Sequence, residues 1–193
     1  MDSRPALLEK VHFGEDRGLA LRLVSLAGDK VVRPSGGDLA DELYAFARRN
    51  MRVFVRDGPP RTEVPQFSER ALFEAIVNAV VHRDYSVYGS RIRLFIFDDR
   101  LELYSPGALP NTLSVESIAV RQSTRNEAVK SILVKLPVGE AGQGSGRGYF
   151  MEAQGDGVPV ILRETRALAG KDAVWRVIDD SEVVLTLPSA SEP

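Results

Sequence analysis

Three polar side chains, Glu74, Asn78 and His82, fall four residues apart inside the apolar stretch "ALFEAIVNAVVHRDYS" (71–86). On a helix that spacing sets all three along one stripe. Leu72, Phe73, Ile76, Val77, Val80 and Val81 would bury the same helix on more than one side. Desolvating a carboxylate and an amide is costly without compensating partners, so the stripe must meet solvent, a loop or a polar cavity. Glu74 and Asn78 sit one turn apart and offer hard oxygen donors. Such donors suit Mg²⁺, which keeps several waters and bridges to substrate phosphates. A carboxylate there can also orient an attacking water. Spacing alone leaves that chemistry level with a plain structural role. His82 with Asp84 could work as an acid–base pair; the simpler reading is that His82 closes the helix on a loop carbonyl.

Other candidate motifs fail at a required residue. In "PVGEAGQGSGRG" (137–148), Gly139 and Gly144 have phosphate-loop spacing, but Ser145 stands where the lysine must be. A dinucleotide fingerprint begun at Gly142 or Gly144 meets Arg147 or Tyr149 at its third glycine. The stretch reads as a flexible loop. "HRD" (82–84) lacks the kinase asparagine, since Gly89 stands five residues after Asp84. His12 and His82 are the only histidines and cysteine is absent, which excludes multi-histidine or thiolate metal centres, disulfides and cysteine nucleophiles.

The elements that must position the stripe lie in a chain of 193 residues, enough for one domain with a real core. Its 25 basic and 27 acidic residues leave a net charge of −2, so no bulk basicity advertises nucleic acid. No apolar run suits a membrane span, and the start "MDSRPALLEKVHF" has no signal-peptide core. A cytoplasmic protein, or a piece of a longer one, is expected.

Within residues 1–37, "LALRLVSL" (19–26) alternates like a strand. Asp38 can cap a helix to about Asn50 with Leu39, Leu43, Phe46 and Ala47 inward. A short strand at 51–56 and a stiff proline-rich connector, "DGPPRTEVPQF", follow. Ser68 can cap the helix that carries the stripe, with Glu69 in its first turn. "SRIRLFIF-DDR-LELYSP" (90–106) is a hairpin, and 107–129 is mostly loop, long enough for a lid. A helix is expected from Asn126 to about Leu136, and another from Gly157 to about Leu168, ended by Gly170. Strands 173–179 and 182–188 close the pattern. From Ser68 the order is α-β-β-(loop)-α-α-β-β, which favours an α+β two-layer sandwich. The expected sheet is mixed, with the helices on one face.

"ALFEAIVNAVVHRDYSVYGSRIRLFIFDDRLELYSPGALP" closely resembles the RecG-like ATP-binding domain family, a divergent branch of the GHKL ATPases with the Bergerat fold. The likeness continues through "STRNEAV" (123–129), "GRGYFMEAQGDGVPVILRE" (146–164) and "WRVIDDSEVVLTLP" (175–188). It implies an ATP-binding domain at 61–188, a flanking linker at 1–60 and a tail at 189–193. Such a domain often follows a Schlafen-type AlbA domain in DNA-associated transcriptional regulators.

The resemblance also implies roles. Glu74-Ala-Ile-Val-Asn78 would be the N box, Glu74 the general base and Asn78 the Mg²⁺ ligand of a Mg²⁺-dependent ATPase. His82, Arg83 and Asp84 would flank the ATP. Ser105-Pro106-Gly107-Ala108-Leu109 occupies the adenine box, with Ser105 in place of its aspartate and Leu109 in place of its second glycine. Gly155-Asp156-Gly157 would cradle phosphate through backbone N–H groups and the following helix start. The loop 110–125 would be a nucleotide lid, with Arg121 and Arg125 toward phosphates. DNA would be met through other domains, and a homodimer is an implied partner. Two rivals stand beside this reading: a degenerate module used for dimerisation or protein–DNA contact, and a metal-dependent hydrolase built on Glu74, His82 and Asp84.

Overall fold

The computed structural model describes residues 12–14, 22–24, 36–87, 90–110, 113–121, 123–152 and 156–191. β1 (His12–Gly14) and β2 (Arg22–Val24) pair antiparallel, and β2 lies inside the strand expected at 19–26. The rest of that stretch lies outside the described residues. α1 spans Gly36–Asn50, so Asp38 sits in its first turn rather than capping it. Ala40, Leu43, Tyr44 and Ala47 of α1 are buried in the same core as the stripe helix. Residues expected in a flanking linker therefore help to build the domain.

β3 (Val53–Arg56) pairs with β4 (Thr62–Pro65), and β4 lies inside the expected proline-rich connector. Backbone pairing overrides the local stiffness of the prolines there, because Pro65 stands at the strand end, where a missing N–H matters little. Gln66 ties this hairpin to the next one: its Nε2 donates to Phe97 O at 2.9 Å and its Oε1 accepts from Arg52 N at 3.0 Å.

α2 (Glu69–His82) starts as read, with Ser68 Oγ accepting from Ala71 N at 3.3 Å. It is the central helix, flanked by α1 on one side and by α4 (Gly157–Ala169) on the other, with the sheet beneath. Ten of its residues are buried in consequence, Glu74 among them. Phe73 meets the Tyr44 ring edge-on at 5.3 Å and stacks on Phe150 at 5.8 Å.

The sheet under the helices has four strands: β5 (Arg93–Ile96), β6 (Arg100–Pro106), β7 (Val174–Ile178) and β8 (Glu182–Pro188). Its order is β5-β6-β8-β7. All three pairings are antiparallel, where a mixed sheet was expected. The return through α3 (Glu127–Leu133) and α4 delivers β7 to the outer edge, and its hairpin sends β8 back against β6. Register sets Leu94, Leu103, Leu185 and Trp175 in one row and Ile96, Leu101 and Leu187 in the next, so period-two alternation builds the helix-facing surface. The domain is an α+β sandwich with α2 and α4 on that surface.

The glycine-rich stretch departs from its reading as a flexible loop. Ala141–Ser145 form a short 3₁₀ turn packed on α1 and α2. A methyl group on Gly142 would stand 3.0 Å from Phe73 Cε2, so the missing side chain is what permits the close approach.

Candidate active site

α2, α4, β6, β8, β7 and the segment before α3 enclose a cavity of about 360 Å³. That falls within the range of small-molecule sites. Glu74, Asn78 and His82 all line it, as their common stripe requires. The opposite wall begins with Asp156 and with Gly157, the first residue of α4. A methyl group on Gly157 would come within 2.8 Å of Asn78 Nδ2 and 3.2 Å of Glu74 Oε2. Glycine there opens the helix N-terminus, with its unpaired N–H groups, toward the stripe. Trp175, Leu103, Leu185 and Ile161 form an apolar wall, while Arg121, Arg125, Lys130 and Arg147 bring positive charge.

Glu74 is 5 % exposed. Its carboxylate accepts from Arg147 Nε at 2.5 Å, and Arg147 Nη2 engages the same oxygen. Burial pushes the Glu74 carboxyl up from its ordinary range, and the Arg147 guanidinium pulls it back only in part. Arg147 also reaches Glu152 through Nη1. His82, at the end of α2, is held down to about 4 by burial and by the nearby cations Arg125 and Lys130, so its imidazole is neutral at pH 7.

The expected adenine-box segment lies at the cavity's edge. Ser105 Oγ donates to Ala79 O at 3.0 Å, which leaves its lone pairs to accept. Gly107 has φ 109° and its N–H donates to Ser181 O at 2.7 Å. A methyl on it would lie 2.6 Å from Asp84 Cβ, so both conformation and crowding require glycine. Leu113, Ile118 and Arg121 of the expected lid also line the cavity.

Two expected ligand residues do not line it. Arg83 donates to the carbonyls of Asp84, Val87 and Ser90, the last at 2.7 Å, and lies 4.9 Å from the Tyr85 ring centroid. It clasps the turn after α2. Asp84 accepts from Ser86 N at 3.0 Å and from Arg125 Nη1 at 3.0 Å, behind Gly107. The Ser86 hydrogen bonds and Arg125 hold its carboxyl below the usual range. Since Asp84 faces away from the cavity, the hydrolase built on Glu74, His82 and Asp84 loses one member. Gly155 lies outside the described residues.

Arg147, Glu152, Lys130 and Trp175 were not singled out from the sequence. Arg147 had a signal, as the one basic residue inside the glycine-rich stretch; Trp175 had only strand alternation. Among the described residues no group of three or more His, Asp or Glu forms a metal cage. Asn78, Glu74 and Asp156 still present hard oxygens, a donor set that fits a cation held mainly by water and phosphate. Arg125 Nε is buried without a hydrogen-bond partner, which fits an anion at the same wall. Among the described residues no helix is long and apolar enough to cross a membrane.

Residues 89–187 match the family described as "Putative ATP-dependent DNA helicase recG C-terminal". That span begins after α2, so the Glu74–Asn78–His82 stripe precedes it. No curated protein matches. The crystal structure of the DIP2311 protein from Corynebacterium diphtheriae has a similar fold, with a TM-score of 0.66 and 21% identity over 86% of this chain. The chain spans 33% of that protein's length.

Proposed function

This chain belongs to the RecG C-terminal domain family, and from that premise we propose that its cavity binds ATP with Mg²⁺ and turns it over slowly. The carrying observation is the meeting of Glu74 and Asn78 with the first residue of α4 inside one cavity. Phosphate would lie at the α4 N-terminus, where backbone N–H groups are unpaired and Arg125 is near. Asn78 Oδ1 would hold Mg²⁺, whose part is to neutralise phosphate charge. Glu74 would orient the attacking water and take its proton. Trp175 and Leu103 supply an apolar surface for a base, and the Ser105 hydroxyl oxygen an acceptor near its edge. Nucleotide state would then be passed on in a DNA-associated transcriptional regulator. With a net charge of −2, duplex contact would rest on other domains.

Trp175 is the only tryptophan, so its emission reports on the cavity. Titration with ATP should change that emission, more strongly with Mg²⁺ present, and Asn78→Ala should remove the Mg²⁺-dependent part. An emission spectrum indifferent to ATP, with no calorimetric heat, would sink the proposal in favour of the degenerate module. Ser105 in the place of a base-reading carboxylate favours that second reading, since a neutral hydroxyl is the weaker acceptor.

A further inference from the structure

β7 ends the order β5-β6-β8-β7, so its outer edge has no strand beside it among the described residues. An open edge offers a row of backbone N–H and C=O groups that a further strand can pair, and proteins commonly blunt it with proline, a bulge or a lysine in mid-strand. β7 carries none of these. It reads VWRVI, with one arginine and no proline, and pairs residue for residue with β8. Val174 and Ile178, on the face away from the helices, are 51% and 38% exposed. The remaining charges stand at the two ends. Lys171 precedes the strand, Asp179 and Asp180 follow it, and none of the three forms an ion pair among the described residues. Asp172, the other charge at the entry, is already held by Arg166, whose Nε donates to it at 2.6 Å.

A strand that is positive at its start and negative at its end complements its own antiparallel copy. Two-fold symmetry restricts the register, because some residue must then stand opposite its own counterpart. Centring on Arg176 would set guanidinium against guanidinium and Asp172 against Asp180, which is unfavourable. Centring on Val174 shortens the overlap and draws Arg176 onto Asp172, a carboxylate that Arg166 occupies. Centring on Trp175 sets Lys171 of each copy opposite Asp179 of the other, at both ends. Ala173 then meets Val177, and Arg176 lies against Val174, whose apolar surface suits its aliphatic stem.

We infer that β7 is a self-association edge: two copies of this chain pair antiparallel through it, with Trp175 at the axis, so that two four-stranded sheets become one. The axis runs perpendicular to the sheet and keeps both helix layers on one side. Trp175 also lines the cavity, so each cavity abuts the joint. Pairing of this kind is independent of what the cavity holds. A single strand pair buries less than a standard interface, so the dissociation constant should be of the order of 10 µM.

The test is sedimentation velocity of the full chain from about 1 to about 200 µM, across which the wild type should pass from monomer to dimer. Val174→Lys changes a half-exposed side chain and should stay monomeric throughout, with an unchanged melting temperature at the lowest concentration. Lys171→Glu brings two carboxylates together at each end and should weaken association roughly tenfold. Asp179→Lys should do the same with two ammonium groups. An equimolar mixture of these two variants should dimerise like the wild type, since each end regains one cation and one anion. Asp179 has φ 47°, so if Asp179→Lys does not fold, Val174→Lys and Lys171→Glu decide. A wild type that is monomeric at about 200 µM overturns the inference. So does a dimer that Val174→Lys or Lys171→Glu leaves unchanged, or a mixture of folded variants that fails to recover it.

Discussion

His82 closes α2 at the cavity wall, where desolvation of its half-buried imidazole, and then the nearby cations Arg125 and Lys130, hold it down to about 4 from the ordinary 6.5. The native state therefore refuses a proton that the unfolded chain accepts. Above pH 6.5 both states are neutral and the residue does not affect pH dependence. As pH falls from 6.5 toward 4, only the unfolded chain gains the proton, so stability drops through that window. At about 1.4 kcal/mol per pH unit the loss is at most roughly 3 kcal/mol. Because the residue lines a cavity rather than a sealed core, about 1–3 kcal/mol is the expected range. Urea unfolding of wild type and His82→Gln, at steps between neutral pH and pH 4, isolates the effect from the carboxylates. The wild-type curve should fall more steeply by that amount. Parallel curves would show the imidazole to be solvated, and a wild type that gains on the variant in acid would show it paired as a cation.

Ile76 and Asn78 should behave oppositely although they share a helix. Ile76 is fully buried, and Ile76→Ala should cost about 2–5 kcal/mol in chemical denaturation, while Asn78→Ala, at the cavity wall, should cost less than about 1. Gly157→Ala puts a methyl 2.8 Å from Asn78 Nδ2 at a backbone position alanine tolerates, so the Trp175 response to ATP should weaken while the melting temperature barely moves. Gly107→Ala combines φ 109° with a 2.6 Å approach to Asp84 Cβ, and thermal unfolding should show a loss of at least roughly 1–3 kcal/mol.

Much of the framework was legible because it is written in local patterns. Ser68 marks the start of α2, Gly170 ends α4 in the left-handed conformation, and apolar runs around a polar turn mark the strand hairpins. The stripe was legible for the same reason: a four-residue spacing places Glu74, Asn78 and His82 on one side of any helix.

Where that side points is a different matter. Only packing places α4 so that Gly157 faces the stripe, and only the order β5-β6-β8-β7 brings Trp175 to the same cavity. Asp84 follows His82 by two residues, yet the chain turns after Arg83 and carries it behind Gly107. The glycine-rich stretch shows the limit most clearly. Locally, glycine signifies backbone freedom; against α1 and α2, its missing Cβ is what lets the 3₁₀ turn pack closely. The same turn sends Arg147 to Glu74, a pairing that no local pattern contains because neither spacing nor periodicity links residues so far apart. The sequence by itself determined which side chains could do chemistry. Tertiary structure decided which of them meet, because burial and charge pairing depend on neighbours brought from distant parts of the chain.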